Sequence, residues 1–215
     1  INSGKTVAVY KPIAAGCQQV DNLLINEDAQ LLSEFSNCNQ SISDVNPIAL
    51  EEAIAPHIAA FNISRTISIE EITQGFEKVT SLKAEINITE GAGGWRLPIY
   101  LNNQDKGINN HIFLSDFARS TQQDVILVVN MKLGCLNHAL LTYQAIISDG
   151  LQCVAWIANT ASEQKMPFLN ENIASLEQLL PIPKIAQFDF YNKQSMSLRD
   201  KVNAAANNID LTPLL

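Results

Sequence analysis

The sequence predicts an α/β fold: a mostly parallel sheet covered by helices on both faces, in three α/β/α layers, forming one domain over residues 1–215. Three observations carry this reading. Short β-branched runs alternate with segments of helical period, the order of strand–helix–strand units. Val125 to Val129 is an uninterrupted apolar run, the pattern of a strand buried on both sides. A chain of 215 residues that is 47% apolar and 17% charged suits one packed domain rather than a disordered segment.

Thr6 to Tyr10 is β-branched and aromatic and should be a strand. It must stop at Lys11-Pro12, because proline brings no N–H to a ladder. Asn26-Glu27-Asp28 reads as a helix start with an acidic first turn, continuing through Ala29 to Phe35. Ile69 to Leu82 carries apolar residues at helical intervals and fits a crossover helix. Ile86 to Thr89 is a short strand that runs into Glu90-Gly91-Ala92-Gly93-Gly94-Trp95. Residues 100–111 are polar and Asn-rich and read as a surface loop. After the Val125 strand, Lys132 to Asn137 should be a loop and His138 to Ser148 a helix, with Asn137 available as its cap. Cys153 to Ala158 is a second buried strand closed by Asn159, and Phe168 to Leu180 a further helix.

Charge and composition exclude some functions. Fourteen Lys and Arg stand against 22 Asp and Glu, a formal charge of −8, with no basic cluster for a nucleic acid. The longest apolar runs are strand-sized and far below the ~20 residues of a spanning helix. Cys17, Cys38, Cys135 and Cys153 show no CxxC spacing and do not group with the three histidines, so free thiols and a cytoplasmic location are expected. Ser3-Gly4-Lys5-Thr6 matches the end of a phosphate-binding GK[ST] loop, but a strand rather than a helix is expected to follow it. It is not read as that loop.

In parallel sheets ligands gather at the carboxyl ends of strands. The strand ends YKP, TEGAGG, VVNMKLGC and IAN are therefore expected to meet in one crevice. Glu90 at a strand end could hold a hard cation, with the following glycines admitting an anion to backbone N–H groups. A Gly-rich turn with a solvated glutamate is equally common. Asp28 lies in the first turn of a predicted helix, where dipole complementation accounts for it. Lys11 could be a fixed cation or an ordinary strand-end lysine, though Pro12 restricts its backbone to extended geometry. Gly134 and the N–H groups of Cys135 to Asn137 offer a place for a carboxylate or phosphate, or merely a helix cap. His57 could line a pocket or be a satisfied structural histidine. Cys135 lacks the neighbours of a nucleophile.

In their order and spacing, Tyr10-Lys11-Pro12-Ile13-Ala14-Ala15-Gly16, Asn26-Glu27-Asp28-Ala29, Val45-Asn46-Pro47, Ala55-Pro56-His57, Glu90 to Trp95, Val128 to His138 and Trp156 to Asn159 resemble the dethiobiotin synthase family. The EGAGGW and KLGCLNHA strings are the most diagnostic. The resemblance implies a P-loop NTPase-like fold and a homodimer. It implies a ligase that uses ATP and Mg2+ to carboxylate 7,8-diaminopelargonic acid with CO2 and close the ureido ring of dethiobiotin. By the same resemblance Lys11 is the catalytic residue and holds the carbamate. Asp28 and Glu90 bind the metal and, with Gly91, Ala92, Gly93 and Asn159, the nucleotide. Gly134, Cys135, Leu136 and Asn137 grip the substrate carboxylate across the dimer interface. A related P-loop amide-forming synthetase or ATPase, and a degenerate non-catalytic dimeric scaffold, are the alternatives.

Three departures from the family pattern matter. Its glycine-rich phosphate loop lies one strand and one helix before the YKP segment, whereas Ile1 to Lys5 read as the connection after that helix. A preceding N-terminal segment is therefore expected. Ala15 stands where the family often has a serine, so one substrate hydrogen bond is either missing or supplied by backbone. Ala186-Gln187-Phe188-Asp189 replaces a Gly-x-x-Pro turn, which bears on base recognition around Asp189 to Tyr191 and could relax nucleotide preference.

Overall fold

Val7–Tyr10 forms the first strand, β1, and is buried along its whole length, as its β-branched and aromatic side chains require. The computed structural model describes residues 4–102, 111–164, 166–191 and 196–214. The chain divides into two units, Ile1–Thr121 and Gln122–Leu215.

In the first unit β1 is followed by β2 (Ile13–Ala15), β3 (Gln18–Val20) and β4 (Leu23–Ile25), then α1 (Glu27–Glu34), α2 (Ile42–Val45), β5 (Ile48–Leu50), α3 (Pro56–Asn62) and α4 (Ile69–Ser81). It closes with β6 (Ile86–Thr89), β7 (Pro98–Tyr100), β8 (Ile112–Phe113) and α5 (Leu114–Ser120). β1 pairs parallel with β6, Val7 opposite Ile86 and Tyr10 opposite Thr89. β2 pairs parallel with β5, while β3–β4 and β7–β8 are antiparallel.

Two helices of this unit, α1 and α4, start where the sequence says they should. Asn26 caps α1 by accepting from the N–H groups of Asp28 and Ala29. Ser68 caps α4 by accepting from Glu71 N–H at 3.1 Å, the S-x-x-E arrangement, with Glu70 and Glu71 complementing the dipole. Tyr10, Phe76 and Phe117 form an aromatic cluster in the core of this unit, with ring centroids 5.4–6.1 Å apart. The Tyr10 hydroxyl donates to Ile72 O at 2.7 Å, which satisfies its buried polar end.

The second unit runs β9 (Val125–Asn130), α6 (Cys135–Ser148), β10 (Cys153–Asn159), α7 (Leu169–Leu179), β11 (Lys184–Phe188) and α8 (Leu198–Ala206). Its strands form an all-parallel sheet in the order β11–β10–β9. Trp156, Val129, Ala158, Ile173, Leu176 and Leu180 make its core, so α6 and α7 cover one face of the sheet. Beyond β11, Ile209 bridges Ala186, and Asp210 N–H donates to Ile185 O.

Three local expectations need correction. α6 starts at Cys135, three residues before His138, and its N-cap is Gly134, not Asn137. The physical reason is backbone geometry: at φ +93° the chain turns sharply after β9, a conformation glycine adopts without a Cβ penalty. The run Val125 to Val129 is not covered on both sides throughout, since Ile126 and Val128 are 42% and 57% exposed while Val129 is buried. Tyr100 lies in β7 rather than in a loop, and residues 103–110 of the Asn-rich stretch fall outside the described residues. Ala186 to Phe188 belong to β11.

Ser3 lies outside the described residues, and Gly4-Lys5-Thr6 does not lead into a helix. The Lys5 ammonium pairs with Glu85 at 2.7 Å, Thr6 N–H donates to the same carboxylate, and β1 begins at the next residue. Among the described residues no helix is long and apolar enough to cross a membrane.

Candidate active site

Lys11, Asp28 and Glu90 are far apart in sequence and meet in the first unit. Lys11 follows β1, Glu90 follows the neighbouring parallel strand β6, and Asp28 sits in the first turn of α1. Parallel pairing aligns the carboxyl ends of β1 and β6, and Glu90 N–H donates to Tyr10 O at 2.8 Å. The Lys11 Nζ stands 3.4 Å from Asp28 Oδ2 and 3.2 Å from Glu90 Oε1, and donates to Gly91 O at 3.3 Å.

Burial divides these groups. The Lys11 side chain is only 5% exposed, whereas those of Asp28 and Glu90 are 57% and 45% exposed. A buried ammonium needs anionic or carbonyl partners to repay its lost hydration, and three oxygens supply them. Each carboxylate keeps a face toward solvent, where a further ligand can reach it.

The loop after Glu90 is shaped by glycine. Gly93 and Gly94 have φ of +126° and +84°, values L side chains rarely adopt. Ala92 packs against the core of the first unit, anchoring the loop, while Gly91 presents its carbonyl to Lys11. Among the described residues no three His, Cys, Asp or Glu side chains group as metal ligands. The Asp28 and Glu90 pair still fits magnesium, which commonly takes one or two protein carboxylates and fills its octahedron with phosphate oxygens and water.

Cys17 lies close enough for the Lys11 charge to act on it, yet burial is the larger influence and pushes its thiol up. All four cysteines are free. His57 lines a cavity of about 820 Å3 with Ile58, Phe61, Arg65, Ile99 and Tyr100, and its buried Nδ1 has no hydrogen-bond partner among the described residues.

In the second unit the Gly134 loop opens α6. Cys135 is buried and its N–H donates to Lys132 O at 2.9 Å, so it is already engaged. The N–H groups of Leu136 and Asn137 lie in the first turn, where helices have no internal acceptors. Asn159 ends β10, and its carbonyl accepts from Met131 N–H at 2.8 Å.

Sequence reasoning missed the side-chain amides along β1. One edge of this strand pairs with β6. On the other, Asn37 accepts from Val7 N–H and donates to Lys5 O, while Gln40 accepts from Val9 N–H and donates to Val9 O. Lys11 N–H donates to Val45 O, and Asn46 Nδ2 donates to Lys11 O at 2.7 Å. Three carboxamides and one carbonyl thus stand in for a neighbouring strand. Nothing in their spacing along the chain announces it.

A family model described as an AAA domain matches residues 1–195. The chain is 42% identical over 193 residues to the ATP-dependent dethiobiotin synthetase BioD of Alteromonas mediterranea, covering 88% of this chain and 81% of that protein. It is 43% identical over 212 residues to the protein of the same name from Cellvibrio japonicus, covering 99% and 86%. The counterpart in Pseudomonas aeruginosa is 36% identical over 213 residues, covering 99% and 86%. The chain belongs to the ATP-dependent dethiobiotin synthetase family, the ATP-using ligases of biotin biosynthesis.

Proposed function

We propose that this chain joins CO2 to 7,8-diaminopelargonic acid and closes the ureido ring of dethiobiotin at the expense of ATP. The observation that carries the reading is the buried Lys11 ammonium between Asp28 and Glu90 at 3.4 and 3.2 Å. One amine of the substrate adds to CO2, giving a carbamate and releasing a proton. A carbamate oxygen attacks the γ-phosphorus and ADP leaves. The second amine attacks the carbonyl carbon, phosphate departs with the C–O bond, the attacking nitrogen releases a proton, and the new C–N bond closes the ring.

No step needs a protein nucleophile. Each gathers negative charge near one point, so the site works by positioning and charge neutralisation. Lys11 is the catalytic residue: its ammonium holds the carbamate beside the nucleotide and offsets its charge. Asp28 and Glu90 would hold Mg2+, which supplies neutralisation of the phosphate oxygens. Gly91, Ala92 and Gly93 would bring the loop close to the phosphates without large side chains in the way. Asn159 would hydrogen-bond the adenine. Gly134 and the N–H groups of Leu136 and Asn137 would receive the substrate carboxylate from a second copy in a homodimer, while Cys135 would contribute its place in the turn rather than its N–H. We place the enzyme in the cytoplasm, the reducing compartment in which four unpaired cysteines would persist as thiols.

The test is phosphate release with and without the diamine and bicarbonate. Release should require both and match dethiobiotin formed mole for mole. Equal release without the diamine would assign another ATPase reaction to the site. No release from folded protein under any of these conditions would leave a scaffold.

A further inference from the structure

The Lys11 backbone is held in an uncommon way. In a parallel ladder a residue that donates to position 45 receives its return bond from the N–H of position 47. Lys11 N–H donates to Val45 O at 2.8 Å, so the expected return donor is residue 47. That residue is Pro47, which has no N–H. The Lys11 carbonyl is instead capped by the carboxamide of Asn46, Nδ2 to O at 2.7 Å.

Asn46 is built for this. It is 6% exposed, and its own N–H donates to Ile42 O at 2.8 Å at the end of α2, fixing its backbone. The same Nδ2 lies 3.4 Å from Ile48 O, and Ile48 N–H donates to Pro12 O at 3.2 Å. Both peptide groups around Lys11-Pro12 are therefore pinned to the segment from Val45 to Ile48. With φ and ψ of Lys11 narrowed by Pro12 as well, the direction of its Cα–Cβ bond is set.

We propose that Asn46 is a positioning residue for Lys11: its buried carboxamide holds the Lys11 backbone so that the ammonium stays between Asp28 and Glu90. The inference rests on the reading of Lys11 as the catalytic cation. Without the amide the Lys11 carbonyl loses its buried donor, the strand end loosens, and Nζ leaves the place where the carbamate must be met. Misplacement on the order of 1 Å at a reacting centre costs up to about a hundredfold in rate.

The experiment is a double-mutant cycle on diamine-dependent turnover of the full chain, comparing wild type, Asn46→Ala, Lys11→Ala and the double variant. Folding of each is checked by circular dichroism and a thermal melt. Asn46→Ala should lower kcat about tenfold or more with the KM for ATP within about twofold of wild type. In the Lys11→Ala background the same change should cost less than about twofold, because the group it positions is gone. An equal factor in both backgrounds means Asn46 acts through general structure and overturns the proposal, as does near-normal kcat in Asn46→Ala. Near-normal turnover in Lys11→Ala would instead overturn the functional reading of the site. If Lys11→Ala turnover lies below detection, the crystal structure of Asn46→Ala decides. Nζ beyond about 4 Å from both carboxylates supports the proposal, and Nζ kept at both overturns it.

Discussion

Gly75, in the middle of α4, is a glycine because Tyr10 leaves room for nothing larger. A Cβ at this position would overlap the Tyr10 hydroxyl outright, with the ring Cζ and Cε2 at 3.1 and 3.2 Å. Tyr10 is fully buried and its hydroxyl bonds Ile72 O, one turn earlier in the same helix, so the ring cannot swing away. Gly75→Ala should therefore pay for overpacking, about 1–3 kcal/mol, and for a strained or lost buried hydrogen bond, about 1 kcal/mol. Alanine returns about 1 kcal/mol of helix propensity. The net cost is about 2 kcal/mol, a fall of about 4–8 °C in Tm for a chain of this size. In a Tyr10→Phe background the overlapping atom is absent, the remaining ring contacts need only a small shift, and the propensity gain persists. There Gly75→Ala should be neutral to within about 1 kcal/mol, giving a coupling of about 2 kcal/mol. Urea denaturation of the four proteins measures it. A Gly75→Ala penalty of the same size with phenylalanine at position 10 would refute the steric argument.

Four further outcomes are expected. Lys11→Ala should lower kcat by about 10²- to 10³-fold without loss of fold, read from phosphate release and circular dichroism. Glu90→Gln should raise the magnesium concentration needed for half-maximal activity, and an unchanged metal titration would remove Glu90 from the ligand set. Gly134→Ala should destabilise by about 1 kcal/mol or more, because its φ of +93° is strained for any L side chain, and thermal melts check this. Burial pushes the Cys153 thiol up to about 11. Between the ordinary value near 9 and that figure the folded protein binds more protons than the unfolded chain, so this contribution is whole below about pH 9 and is lost toward pH 11. The loss is about 2 kcal/mol and should shrink in Cys153→Ala, measured by denaturation at pH 8 and pH 11.

What the sequence discloses follows the range of the forces involved. α1 and α4 are legible because Asn26 and Ser68 cap them locally, within three residues of the N–H groups they satisfy. β1 is legible because its apolar run ends at a proline. α6 is misread at its start because Asn137 has the better capping propensity, while the turn geometry after β9 selects Gly134. A run of five apolar residues cannot distinguish one covered face from two, and Ile126 and Val128 are exposed. The meeting of Lys11, Asp28 and Glu90 has no signature in their spacing. Lys11 and Asp28 each have a commoner reading by themselves and Glu90 an equally common one; the strand-end rule draws Lys11 and Glu90 together, and the joint order of the surrounding motifs adds Asp28. The amides of Asn37, Gln40 and Asn46 are less legible still, since their partners lie some thirty residues earlier and a polar residue between helices looks like any loop residue.

The division of burial at the site fits the role proposed for Lys11, in which one lysine serves both the resting protein and the reaction. Its ammonium has three protons, and three oxygens stand within 3.2–3.4 Å of it. Two belong to carboxylates that remain half in water, so withdrawing either one toward a metal ion costs it little hydration. The third is the carbonyl of Gly91, in a loop whose glycines tolerate unusual backbone angles. The lysine itself is held at its backbone by Val45 and Asn46 and buried along its stem. On the proposed reading, an anionic ligand would exchange these partners while the cation stays in place. The reverse arrangement, a mobile surface lysine facing buried carboxylates, would leave anions to repel both substrates and would have to order the cation at each turnover.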